Sequence, residues 1–150
     1  MDPLALNVAR KFAEAAAEEP AVKSVTYTGV FLDESSHKAL VEWWKHHTNT
    51  PLHSKLWAHH MTIKFKPTAE EVEATPVGKK VHLKVIGWAA DEKGQAVLVE
   101  PQGVASANKH PHITISTAPG TGPVYSNELL AKGSNRVSGP TLSGVVEARS

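Results

Sequence analysis

Two short stretches constrain the fold of this chain more than anything else in it: HMTIKFKP at residues 60–67 and HITISTAP at residues 112–119. Each runs histidine, apolar residue, threonine, isoleucine, and each reaches a proline seven residues after its histidine. Alternation with a period of two marks a half-buried strand, because successive side chains of an extended chain point to opposite faces. His60 and Thr62 therefore share one face and Met61 and Ile63 the other; in the second copy His112, Thr114 and Ser116 stand opposite Ile113 and Ile115. Each strand buries an apolar stripe and offers a polar one. If the two strands lie side by side in one cleft, two imidazoles and two hydroxyls converge. The copies are far enough apart for each to belong to its own half of a pseudo-symmetric fold, and a duplication accounts for the echo.

The rest of the chain reads as strands interleaved with short helices. Leu4, Val8 and Phe12 recur at helical spacing, predicting an amphipathic helix over residues 3–18 that Pro20 ends, an N-terminal addition within residues 1–20. VKSVTYTGVFL (22–32) is β-branched and aromatic, and predicts a strand. DESSHKALVEWWKHH (33–47) predicts a helix with Ala39, Leu40, Trp43 and Trp44 on its apolar side. After the loop NTPLHSKLW comes the first motif strand, then Thr68 and Glu71 at the spacing of a capping box for a short helix. KKVHLKVIGWAA and QAVLVE flank the polar turn DEKG and predict a hairpin. The second motif strand, the loop APGTGP, a short helix ended by Gly133 and a last strand TLSGVVEAR complete an α+β domain.

Composition narrows the class. A chain of 150 residues with 41% hydrophobic and 21% charged residues matches ordinary globular usage, so one domain spanning 1–150 is expected and disorder, collagen and coiled coil are excluded. Sixteen basic against fifteen acidic side chains leave a formal charge of +1, so attraction to phosphate must be local. The absence of cysteine removes disulfides and thiolate metal sites. The first residues carry acidic side chains rather than a leader pattern, and no stretch approaches the roughly 18 apolar residues of a membrane span. A soluble intracellular protein, cytoplasmic or nuclear, is the expectation.

Paired imidazoles suit phosphodiester chemistry. Histidine exchanges a proton near neutral pH, so one ring can take a proton from attacking water while the other protonates the departing oxygen. Hydroxyls can donate to the non-bridging phosphate oxygens. A lone His-x-Thr is an ordinary strand tripeptide, and threonine is common in strands anyway. Two copies with matching flanks point instead to catalysis.

On these residues the chain resembles the 2H phosphoesterase superfamily, which includes LigT-like RNA cyclic phosphodiesterases and the phosphodiesterase domains of RNA-repair ligases. His60-Met61-Thr62-Ile63 and His112-Ile113-Thr114-Ile115 both match its His-hydrophobic-Thr/Ser-hydrophobic signature, and the resemblance spans residues 25–148. It implies a bilobal α+β fold with two antiparallel sheets facing each other across a cleft, one motif on each, and helices on the outside. It also implies metal-independent opening of 2′,3′-cyclic phosphates at RNA ends or on nucleotides, commonly to a 2′-phosphate. By position, His60, Thr62, His112 and Thr114 would be the functional four, with no cofactor.

Further candidates follow from placement. Lys64 and Ser116 lie in step with the motif residues and are candidate phosphate contacts. Tyr27, Trp57 and Tyr125 are candidates to stack on a base, a contact worth about 1–3 kcal/mol. APGTGP is read as a loop at the rim of the cleft. A metal site built from His59, His60, His110 and His112 is the rival for the same residues, but His59 and His60 are expected on opposite faces of a strand and no Asp or Glu expected in the cleft follows the motifs. His59 and His110 are expected instead to support the site by hydrogen bonding. The rival from another class is a noncatalytic module that binds an RNA 3′ end or a nucleotide; a third reading takes the chain as one domain of a larger RNA-repair protein.

Overall fold

The computed structural model describes residues 25–150, so the helix expected over residues 3–18 lies outside the described residues. In chain order the elements are β1 (Tyr27–Leu32), α1 (Glu34–His47), β2 (Lys55–Leu56), β3 (His60–Phe65), α2 (Ala69–Ala74), β4 (Lys80–Ala90), β5 (Gly94–Gln102), β6 (His112–Thr117), α3 (Tyr125–Ala131), β7 (Asn135–Arg136) and β8 (Thr141–Arg149). The long strands and the three helices among the described residues fall where patterning predicts them. The two-residue strand β2 lies in a segment read as loop, and β7 in the stretch between the last helix and the last strand, where patterning predicts no element; both are too short for periodicity to register.

The sheet closes on itself. Its strands follow one another in the order β8, β1, β3, β6, β5, β4, every neighbouring pair antiparallel, and β8 pairs again with β4. The result is a six-stranded antiparallel barrel, not the expected bilobal α+β fold with two sheets across a cleft. The cause is the last strand, which offers both its edges: Gly144 is paired with Leu32 of β1 on one side and Val81 of β4 on the other. With no edge free between two sheets, the alternating apolar residues of all the strands share one interior. Val30, Met61, Val85, Val97, Ile113, Leu142 and Val146 fill it, each at most 1% exposed. The two motifs are likewise not divided between halves: β3 and β6 are neighbours, with Met61 opposite Ile113.

Helix α1 packs Leu40, Val41 and Trp44 into the same core cluster as the inward residues of the strands, and α3 packs Leu129 and Leu130 against Ala89 and Ala96 in a second one. Asp33 caps α1, its carboxylate accepting from the Ser36 N–H at 2.8 Å, the Ser35 hydroxyl at 2.9 Å and the Ser143 hydroxyl of β8. These bonds, the one from Ser143 foremost, hold its carboxyl well below the usual range. The helix buries Leu40, Val41 and Trp44, while Ala39, expected on that face, is exposed. Thr68 and Glu71 form the predicted capping box of α2, the Thr68 hydroxyl accepting from Glu71 N–H at 3.1 Å and the Glu71 carboxylate from Thr68 N–H at 2.8 Å. In the β4–β5 turn Asp91 accepts from the N–H groups of Lys93 and Gly94. Among the described residues no helix is long and apolar enough to cross a membrane.

Candidate active site

Barrel curvature and strand parity place both motifs on the outer surface. Met61, Ile63, Ile113 and Ile115 point into the core, which turns His60, Thr62, His112 and Thr114 outward on adjacent strands. Antiparallel register around the Met61–Ile113 pair sets His60 across from Thr114, and Thr62 across from His112. The two imidazoles are thus diagonal neighbours, a relation that spaces residues about 7–8 Å apart. All four line one pocket of about 290 Å³, completed by Phe65, Asn108, Pro123, Val124 and Asn127.

The polar face of β6 is covered rather than open. His112 and Thr114 are each 8% exposed and Ser116 is 0% exposed. Strand β2 pairs with the far end of β6, Leu56 opposite Ser116. Ser116 donates to Gln95 Oε1 and accepts from the His53 N–H at 3.0 Å, so it braces the loop before β2 and does not line the pocket. Thr114 meets helix α3: its hydroxyl lies 2.7 Å from that of Ser126 and 3.3 Å from the carbonyl of Pro123. The segment APGTGP, read as a rim loop, supplies Pro123 to the pocket wall.

The two histidines have different surroundings. His112 donates from Nδ1 to the carbonyl of His110 at 2.7 Å, leaving Nε2 for a ligand. Burial pushes its pKa below the ordinary value of 6.5, and the bond to that carbonyl opposes the shift. His60 stacks on Phe31 with ring centroids 5.0 Å apart, lies 5.2 Å from the ring of Tyr27, and its Nδ1 is 2.7 Å from Nδ1 of His59. Burial, then the positive charge available on His59, His112 and Arg149, pushes His60 down to about 4. At neutral pH it is an uncharged imidazole able to accept a proton.

The remaining candidates go elsewhere. Lys64 is ion-paired with Glu71 at 3.8 Å, beside α2 and off the pocket. Tyr27 packs against His60 as part of its aromatic surround. Trp57 donates to the Thr117 hydroxyl at 3.0 Å and sets its edge toward His59 at 5.9 Å. Tyr125 donates to the Asp91 carboxylate and accepts from Lys132 at 3.2 Å, which fixes α3 rather than lining the cavity. His59 and His110 support the motif histidines, as expected, through a ring nitrogen and a carbonyl. His59 does not, however, face away from His60: the strand starts only at His60, and Ala58 just before has φ 54°, so the two rings stack 4.7 Å apart. Among the described residues no group of three or more His, Asp or Glu side chains is arranged to hold a metal ion.

Sequence reasoning missed Phe65, Asn108, Val124, Asn127 and Ser126. Phe65 shares the parity of Met61 and Ile63, which assigns it to the core; at the end of β3 it stands 60% exposed on the pocket wall. Asn108 and Asn127 come from a loop and from α3, where no periodicity marks which side chain turns toward the site.

Residues 44–148 match the family described as the fungal tRNA ligase phosphodiesterase domain. No curated protein matches the chain. Among solved structures, the fold is similar to one titled as the crystal structure of a fungal RNA kinase, with a TM-score of 0.65 and 17% identity. That likeness covers 87% of this chain but only 46% of the other, and at such identity it concerns the fold alone.

Proposed function

This chain belongs to the family of fungal tRNA ligase phosphodiesterase domains, and from that premise we propose that its pocket opens the 2′,3′-cyclic phosphate at an RNA 3′ end, without a metal, through His60 and His112. Membership agrees with the 2H phosphoesterase resemblance drawn from the two motifs, and the chain is accordingly a phosphodiesterase. The observation that carries the finer reading is the meeting of both motif histidines and both motif threonines in one pocket on adjacent strands.

In this reading neutral His60 takes a proton from water as the water oxygen bonds to phosphorus. The bond from phosphorus to the ribose 3′ oxygen breaks, and His112, protonated, delivers its proton to that oxygen, leaving a 2′-phosphate. The assignment follows from the environments: His60 holds a proton poorly, whereas the Nδ1–H bond to the His110 carbonyl favours the charged ring of His112. Thr62 and Thr114 donate to the non-bridging oxygens, and Ser126, bonded to Thr114, sets the direction of its hydroxyl. Phe65, exposed on the wall, offers a face for the terminal base. The chain works here as one domain of a larger RNA-repair protein, a reading supported by its spanning less than half of the similar solved structure.

The test is to incubate the protein with the four nucleoside 2′,3′-cyclic monophosphates and with an RNA ending in a cyclic phosphate, with and without a chelator. A 2′-phosphate product formed equally in both conditions is expected. A 3′-phosphate product, or loss of turnover with chelator, would overturn the stated mechanism, and binding without turnover would make the pocket a recognition module.

The same assignment sets a pH dependence. Activity requires His60 without its proton, so it rises with pH through about 4, and requires His112 with its proton, so it declines as pH passes a value below 6.5. The profile of kcat/KM is expected to be a bell with its maximum in mildly acidic solution, its two limbs belonging to the coupled pair. A profile level from pH 4 to pH 8 would contradict it.

A further inference from the structure

We propose that His59, outside the motif, is a positioning residue: it accepts a hydrogen bond from Nδ1–H of His60 and so holds that ring with the lone pair of Nε2 turned to the pocket. The inference rests on the reading of His60 as general base.

The geometry that carries it is the 2.7 Å separation between the two Nδ1 atoms, with the rings stacked 4.7 Å apart and tilted by only 19°. Two imidazole nitrogens at that distance must share one proton. If His59 supplied it, Nε2 of neutral His60 would carry the other proton and have no lone pair for water. Once His60 gained a proton during turnover, two N–H groups would also face each other. If His60 supplies it, Nε2 is the base, and the bond survives when His60 becomes charged because His59 still accepts. Only the second arrangement serves both halves of a catalytic cycle.

The backbone around His59 is held from several sides, which a freely mobile side chain would not need. The Ala58 N–H donates to the Thr114 carbonyl at 2.8 Å, tying this turn to the opposite motif. His37 on α1 bonds the Ala58 carbonyl from Nδ1 at 2.7 Å, and the His59 carbonyl accepts from the Leu32 N–H of β1 at 2.9 Å. The groups facing the pair are His37 from α1, Arg149 from β8, Tyr27 from β1 and His112 from β6. Burial, with His37 and Arg149 nearby, pushes the pKa of His59 down, in the direction of the uncharged ring that accepts. Arg149 is itself placed, its guanidinium 3.9 Å from the Phe31 ring centroid and bonded to Glu147 at 2.8 Å. Phe31 in turn stacks on His60, so the dyad sits on an organised surface.

Two substitutions separate hydrogen bonding from packing. His59→Phe keeps a stackable ring without an acceptor, and His59→Asn keeps an acceptor near the position of Nδ1. With a nucleoside 2′,3′-cyclic monophosphate, His59→Phe is expected to lower kcat about tenfold or more with KM little changed, and His59→Asn to recover most of that loss. Nitrogen-15 NMR of the His60 ring is expected to report the Nδ1–H tautomer in the unsubstituted protein and in His59→Asn, and a mixture of tautomers in His59→Phe. An unchanged kcat, or a lowered kcat with an unchanged His60 tautomer, would overturn the proposal. Absence of turnover in the unsubstituted protein would overturn the base role of His60 instead, and the ring spectra would still decide whether His59 sets the tautomer.

Discussion

His60→Ala and His112→Ala are each expected to lower kcat/KM for a 2′,3′-cyclic phosphate by about 10²–10⁴, the range that a positioned acid–base group contributes. Neither ring is part of the barrel interior, which is filled by Met61 and Ile113 from the alternate positions of the same strands. The substitutions should therefore leave the barrel folded, as far-ultraviolet circular dichroism and a urea titration would show. Because both histidines act in one step, the double variant is expected to lose little more than the worse single one. Retention of more than a tenth of the activity by either single variant, in folded protein, would remove that residue from the mechanism.

The second large effect concerns the barrel seam. Gly144→Val is expected to destabilise the fold by about 3 kcal/mol, at the upper end of the usual cost of overpacking. A Cβ at this position would stand 2.5 Å from the Phe31 carbonyl oxygen, 2.9 Å from its carbon and 2.9 Å from Val30 Cγ1. Two of these three atoms are backbone, so no rotamer change relieves the contact. Moving β1 away would break the ladder from Gly144–Leu32 to Arg149–Tyr27 and carry Phe31 from behind His60. Gly120, with nothing within 4 Å of such an atom, is the steric control, although its φ of 83° favours glycine for a separate reason. The measurement is the urea midpoint of each variant, and a loss under about 0.5 kcal/mol for Gly144→Val would mean that the seam yields more readily than its close packing implies.

The candidate pocket was legible at the four motif positions, all of which line it, because chemistry and period coincide there. Strand parity alone turns His60, Thr62, His112 and Thr114 to one side, and it is indifferent to whether the strands belong to two sheets or one barrel. Parity misled at Ser116, Lys64 and Phe65. Ser116 has the right face, but β2 and Gln95 cover it; Lys64 has the right face, but Glu71 draws it toward α2. Phe65 has the parity of the core yet stands beyond it, on the pocket wall. Tyr27, Trp57 and Tyr125 were marked by residue type alone, and each is committed to a neighbour: His60, Thr117 and Asp91.

From its residues alone, this chain determined which segments extend, which coil, which side chains share a face and what proton chemistry two imidazoles and two hydroxyls allow. Those are local properties, set by periodicity and by the groups themselves. Only the tertiary structure decided that β8 joins β1 to β4 in a closed barrel, that β3 lies against β6, and that His59 turns onto His60. Each of these depends on hydrogen bonds between segments distant in the chain, whose pairing a period of two leaves undetermined.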